Sequence, residues 1–253
     1  MNMQEIYKMR DTLLKKSGNL AKASVESFDK HFELEYTHNS TAIEGNTLSL
    51  IEAKVLLEDG ITPPGKYLRE IWEVINHNKA FSYVKDCIAE KKPLSESIVK
   101  DIHAILMENI LIGGIYRNCE VRISGAEWKP PVPTEMFRQI KDFYATLPQK
   151  SNMDAITLAA YTHAKFVRVH PFEDGNGRTS RLIMNYQLMA NGFLPVSIAK
   201  ENRLPYFETL EEYCANGNLA PFTEMVAELE RVRLREYLDL IPPERKREQD
   251  RER

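Results

Sequence analysis

Apolar residues recur along most of this chain every three or four positions, the spacing that lays a stripe down one face of an α-helix. Val25, Phe28, Phe32 and Tyr36 draw such a stripe over residues 24–38, which runs into Ser40-Thr41-Ala42-Ile43-Glu44-Gly45-Asn46, where Gly-Asn stops the helix. Ser49 and Glu52 have the spacing of a capping box, so a second helix starts at once. After the turn at Pro63-Pro64-Gly65, residues 67–89 read as a long helix buried through Leu68, Ile71, Trp72, Ile75 and Ala80. Ser95 is set to cap another, with Ile98, Ile102, Ile105 and Leu106 as its stripe. Helical periodicity continues over about 135–147, 154–168, 176–191, 201–215 and 220–240.

The pattern breaks at 113–133. Gly113-Gly114 interrupts the helix, Val121-Arg122-Ile123 alternates apolar and polar, and Pro130, Pro131 and Pro133 forbid a central strand, which predicts a short two-stranded edge hairpin. The expected class is therefore mainly α, a helical bundle with a small β-hairpin flap.

Composition narrows the partners. At 253 residues the chain can bury a large core without disulfides or metal, and 43 % hydrophobic with 28 % charged residues is ordinary for a globular protein. No apolar run approaches a spanning length, and the N-terminus has no secretory h-region. Cys87, Cys119 and Cys214 are odd in number and lack a CxxC spacing, so a reducing cytoplasm is the expected location. A net charge of −3 argues against a nucleic-acid binder, and Arg245-Lys246-Arg247, interleaved with acids, reads as a solvated tail. The histidines at 31, 38, 77, 103 and 163 form no metal spacing.

The chemistry concentrates in His170-Pro171-Phe172-Glu173-Asp174-Gly175-Asn176-Gly177-Arg178 and the following Thr179-Ser180-Arg181. Pro171 ends one helix, Gly175 and Gly177 allow positive φ and close approach of a ligand, and the next helix starts there with free N–H groups and the positive end of its dipole. Arg178, Arg181 and Asn185 follow at i, i+3 and i+7, a spacing that turns all three to one ligand, and two guanidinium forks suit a polyphosphate. Asp174 offers the hard oxygen Mg²⁺ prefers. His170 is the group of near-neutral pKa able to take a proton from a hydroxyl. Phe172 reads as a core anchor and Glu173 as solvent-facing. A glycine-rich turn beside a buried histidine is the plainer account of a lone His or a lone Gly-Asn-Gly, but base, carboxylate, amide cradle and two arginines within twelve residues outweigh it.

The same segment resembles the signature of the Fic family, His-x-Phe-x-Asp/Glu-Gly-Asn-Gly-Arg-x-x-Arg, at every defining position. The resemblance implies a Fic fold and transfer of AMP from Mg²⁺-bound ATP to a hydroxyl of a target protein, the chain itself included. It makes His170 the base, Asp174 the Mg²⁺ ligand, Asn176 an α-phosphate contact, Arg178 and Arg181 the β/γ-phosphate ligands, and the amides of Gly175 and Gly177 the rest of the cradle. The flap, through Val121, Arg122 and Ile123, would pair with an extended target segment, and Tyr206-Phe207 is similar to an aromatic pair bordering adenine. Ser40 to Gly45 matches a second family motif, Ser/Thr-x-x-x-Glu-Gly/Asn, an inhibitory helix whose Glu44 would pair with Arg181 where the γ-phosphate belongs. On this basis the chain divides into an N-terminal helical region with the inhibitory motif (1–58), a catalytic core (59–215), a closing helix (216–241) and a charged tail (242–253).

Rival readings are removal of AMP from a modified target, transfer of another phosphate-containing group, and a non-catalytic nucleotide-binding regulator. The intact Gly175-Asn176-Gly177-Arg178 and Arg181 favour AMP over other groups, and the stretch after Tyr206 holds a closing helix rather than a DNA-binding winged helix. A homodimer is compatible with the sequence but not specified by it.

Overall fold

The computed structural model describes residues 3–123, 125–150 and 152–242, so most of the expected charged tail lies outside the described residues. Ten α-helices account for nearly all the regular structure: α1 (Met3–Lys16), α2 (Lys22–Ala42), α3 (Leu50–Asp59), α4 (Leu68–Ala89), α5 (Glu96–Met107), α6 (Pro133–Thr146), α7 (Ala155–Val169), α8 (Asn176–Ala190), α9 (Arg203–Asn216) and α10 (Ala220–Asp239). Mainly α is therefore right. The capping box forms as its spacing requires, with Ser49 Oγ accepting from the Glu52 amide and the Glu52 carboxylate accepting from the Ser49 amide. Ser95 likewise caps α5.

Helices α7 and α8 form the centre. From Arg178 to Leu188, α8 is buried all round, which only a helix walled on every side can be. On one flank, Ala159, Ala160, Ala164, Met184 and Leu188 pack with Ile6 of α1, Tyr206 of α9 and Phe222, Val226 and Leu234 of α10. On the other, Phe166, Leu182, Ile183 and Tyr186 pack with Phe81, Ile102, Leu106, Ile140 and Phe143. One cluster thus joins helices from both ends of the chain.

The expected hairpin is not there: no strand occurs among the described residues, and Val121-Arg122-Ile123 runs without a ladder into a turn in which the Ala126 amide donates to the Ile123 carbonyl. The backbone groups of this segment are committed elsewhere. Arg117 takes the carbonyls of Cys119 and Pro131, Glu211 takes the amides of Glu127 and Trp128, and three prolines lack a donor. Exposure still alternates, Arg122 outward between two half-buried neighbours. Among the described residues, no helix is long and apolar enough to cross a membrane.

Candidate active site

The site forms where α7 hands over to α8. Helix α7 stops at Val169 because Pro171 cannot continue it. His170 takes the left-handed conformation (φ 49°) while its amide still donates to the Phe166 carbonyl at 2.9 Å. That conformation is costly for a side-chain-bearing residue, by roughly 1–3 kcal/mol, and tertiary contacts must hold it. Asn176 closes the loop: its Oδ1 accepts from the Phe172 amide at 3.0 Å and its Nδ2 donates to the Phe172 carbonyl at 2.9 Å. Phe172 is fully buried and stacks on the His103 ring at 3.5 Å, while Glu173 is exposed, both as expected.

His103 holds the loop from the other side. Its Nδ1 accepts from the Gly114 amide at 2.8 Å, which leaves the proton on Nε2 to donate to the Asp174 carbonyl at 3.0 Å. Burial keeps this imidazole neutral, lowering its pKa to about 4. His170 is similar in charge and different in access. Burial lowers its pKa to about 4 against an opposing hydrogen bond to the Val167 carbonyl, with Arg117 lowering it further. Its Nδ1 lies 3.3 Å from that carbonyl, so Nδ1–H donates there and Nε2 is left as the basic nitrogen.

Helix α8 begins at Gly175 (φ 75°), which offers no side chain to cap the first turn. A Cβ at Gly175 would run into Met107 and His103, and one at Gly177 would collide with the carboxylate of Glu44, so both positions admit only glycine without rearrangement. Arg178 is buried, donates to Asp174 at 3.1 Å and faces Glu73 at 3.5 Å, while its Nε and Nη1 make no hydrogen bond. Two carboxylates, Asp174 and Glu73, thus balance this guanidinium in the fold. Burial alone would raise the pKa of Asp174; Arg178, the Gly175 amide and Arg69 outweigh it and hold the carboxylate below its usual range.

Arg181 is the more heavily engaged. Its Nε donates to Ser40 Oγ at 2.9 Å, its Nη2 to the Ser40 carbonyl and to Glu44 Oε1, both at 2.7 Å, and its Nη1 to the Tyr206 hydroxyl at 3.4 Å. Glu44 sits in the turn that ends α2, its amide bonded back to the Thr41 carbonyl, so its carboxylate lies against the first turn of α8. Burial would lower the pKa of Arg181; the Glu44 carboxylate overrides it and holds the proton more firmly than usual.

Two expected residues point elsewhere. Asn185 is bonded through both amide atoms to the backbone of Val196, at 2.9 and 2.8 Å, and pins the connection to α9 rather than a ligand. Tyr206 is buried, with its hydroxyl 2.9 Å from His163 Nε2, so it supports Arg181 from behind; Phe207 is the half-buried member of the pair and stacks under Arg203. The sequence reading missed four residues, namely Glu73, His103, Arg117 and Arg69, the last of which contacts the free oxygen of Asp174. All four come from outside the motif, and no local spacing signals them.

The chain is similar to several known proteins. A model described as the Fic/DOC family matches residues 93–188. The chain is 36 % identical over 210 residues to protein adenylyltransferase fic-1 of Caenorhabditis briggsae, a match covering 80 % of this chain and 41 % of that protein, so it spans well under half of that relative. Among solved structures, Fic-1 of C. elegans shares 30 % identity at a TM-score of 0.82, covering 94 % of this chain and 71 % of that one. A Fic domain containing signaling protein from Bacteroides thetaiotaomicron has the same fold, with a TM-score of 0.85 at 24 % identity over 95 % of this chain and 97 % of that one. The chain belongs to the Fic family.

Proposed function

We propose that the chain is a protein adenylyltransferase that moves AMP from ATP to a hydroxyl of a target protein, itself among the targets, and that Glu44 restrains it. The observation that carries the reading is the neutral His170, its Nε2 unprotonated, beside an uncapped helix start lined by Arg178 and Arg181. Nε2 takes the proton of the incoming hydroxyl as its oxygen bonds to the α-phosphorus, and the bond to the leaving pyrophosphate breaks. Arg178 and Arg181 hold the β- and γ-phosphates, and the Gly175 and Gly177 amides complete the cradle. Asn176 keeps the loop in register and, by the motif, meets the α-phosphate; Phe207 is placed to border adenine.

Asp174 suits Mg²⁺, which takes one or two carboxylates plus phosphate oxygens, and no cluster of three His, Cys, Asp or Glu competes for a metal among the described residues. Bound there, the ion would neutralise charge on the phosphates. The extended 121–123 segment, which forms no ladder among the described residues, is suited to strand addition by a target.

Glu44 acts by competition: an arginine already paired is a poorer phosphate ligand, and coupling of about 1–3 kcal/mol changes productive binding by roughly five- to 150-fold. Incubation with ATP and Mg²⁺ followed by intact mass tests the whole reading. Glu44→Gly should raise self-labelling by AMP and His170→Ala in that background should abolish it. Unchanged labelling in Glu44→Gly would remove the restraint, and labelling that survives loss of His170 would remove the base. A second reading, hydrolytic removal of AMP, is favoured by the one-third exposure of the Glu44 side chain beside the cradle, a position able to order a water. Premodified protein that loses AMP only when Glu44 is present would establish it.

A further inference from the structure

Arg117 is nearly inaccessible to solvent, 1 % exposed, and among the described residues no carboxylate hydrogen-bonds to it, Glu120 acting on it only through space. Its whole fork is spent on main-chain carbonyls: Nε donates to His170 at 2.7 Å, Nη1 to Cys119 at 2.7 Å and Nη2 to Pro131 at 2.6 Å. Its own amide donates to the Pro171 carbonyl at 2.9 Å. A buried guanidinium with no hydrogen-bonded counter-charge is expensive, and hydrogen bonds to carbonyl dipoles offset that cost only while all are made. The residues it joins have little else in common. Cys119 and Pro131 bracket the irregular segment with the Val121-Arg122-Ile123 edge, and His170 and Pro171 are the strained handover from α7. Trp128 of the same segment leans edge-on toward the His170 ring with centroids 6.4 Å apart.

We propose that Arg117 is the positioning residue of His170, locking the left-handed backbone of the base to both ends of the 119–131 segment so that base and segment move as one body. The inference rests on His170 being the base. A hydroxyl presented on the 121–123 edge then meets Nε2 at a fixed distance, because the edge and the base share an anchor. Phosphate binding involves other side chains, so loss of the anchor should spare nucleotide affinity and slow transfer. Misplacing a base by an ångström costs on the order of 100-fold. Lysine has the charge and three donors but not the planar fork, so it should recover part of the loss.

The test uses self-labelling in the Glu44→Gly protein. Arg117→Gln should lower kcat by roughly 10- to 100-fold with KM for ATP within about twofold, Arg117→Lys should fall between, and hydrogen exchange should accelerate together at residues 117–119 and 169–172. A folded Arg117→Gln protein with kcat within twofold of its parent, or with faster exchange at 117–119 alone, overturns the proposal. Should the glutamine variant not fold, the parent decides: Arg117, His170 and Phe172 amides should exchange at matching rates, and an Arg117 amide about tenfold faster than the other two overturns it. His170→Ala as a control separates the two failures, since labelling without His170 sinks the reading of the base whatever Arg117 does.

Discussion

An imidazole whose pKa has been lowered to about 4 stays unprotonated through the range where an ordinary one titrates. A histidine of pKa about 6.5 loses some three quarters of its basic form by pH 6. Self-labelling by the Glu44→Gly protein should therefore change less than about twofold between pH 8 and 6; a fourfold fall centred near 6.5 would mean the ring is solvated normally. Gly177 gives a second test at the same scale. With Glu44 removed the space a Cβ needs is open, so Gly177→Ala in the Glu44→Gly background should keep its melting temperature while losing ATP affinity, because the new methyl stands in the cradle. Equal affinity would place the phosphates elsewhere. The motif residues were legible because glycine, histidine and arginine each do something there that few other residues can. Asn185 misled because its angle about α8 is right and its height is wrong: seven residues beyond Arg178 is about 10 Å along the axis, past the reach of anything bound at the helix start. Tyr206 was misplaced for want of its partner, since only the folded chain brings His163 and Arg181 to its hydroxyl.

Most helices could be read from their stripes and caps, and the cap at α3 supplies a check. Ser49→Ala removes one half of a reciprocal pair on the surface, so stability should fall by about 1 kcal/mol and the melting temperature by about 2–4 °C, with labelling in the Glu44→Gly background unchanged. A loss of labelling would tie α3 to the site. The segment before α6 resisted reading for a physical reason. Alternation and glycines at 113–125 fit a hairpin, but a hairpin needs its own backbone donors and acceptors, and here they belong to Arg117 and to Glu211 on a helix over 80 residues away. No local pattern reports such a claim.

Protons couple the site to the stability of the whole molecule. His77 and His163 are held well below the ordinary range by burial, and His103 and His170 at about 4. All four are neutral in the fold and titrate near 6.5 in the unfolded chain, so below that pH the unfolded state binds more protons and stability falls as pH drops toward 4. Glu230 on α10 works the other way. Its carboxyl, raised to about 8 by burial though it accepts from the Leu194 amide, stays protonated in the fold while the unfolded form ionises, so stability rises as pH falls from 8. Urea midpoints should therefore peak between about pH 6.5 and 7, and Glu230→Gln should flatten the alkaline side and steepen the acid side, where the carboxyl's opposing contribution runs on down to about 4.5. A midpoint that climbs steadily from pH 5 to 8 would contradict both assignments.

The pairing of Glu44 with Arg181 joins two points 137 residues apart in one polypeptide. Carboxylate and guanidinium are held at a local concentration set by how α2 packs on the bundle, so diluting the protein does not loosen them. With Glu44 as the proposed restraint, release beyond what competing ATP achieves needs something that unwinds the last turn of α2 or levers it from α8. An activator would then be recognised by a rate of turnover per molecule that depends on its own concentration and not on that of the enzyme.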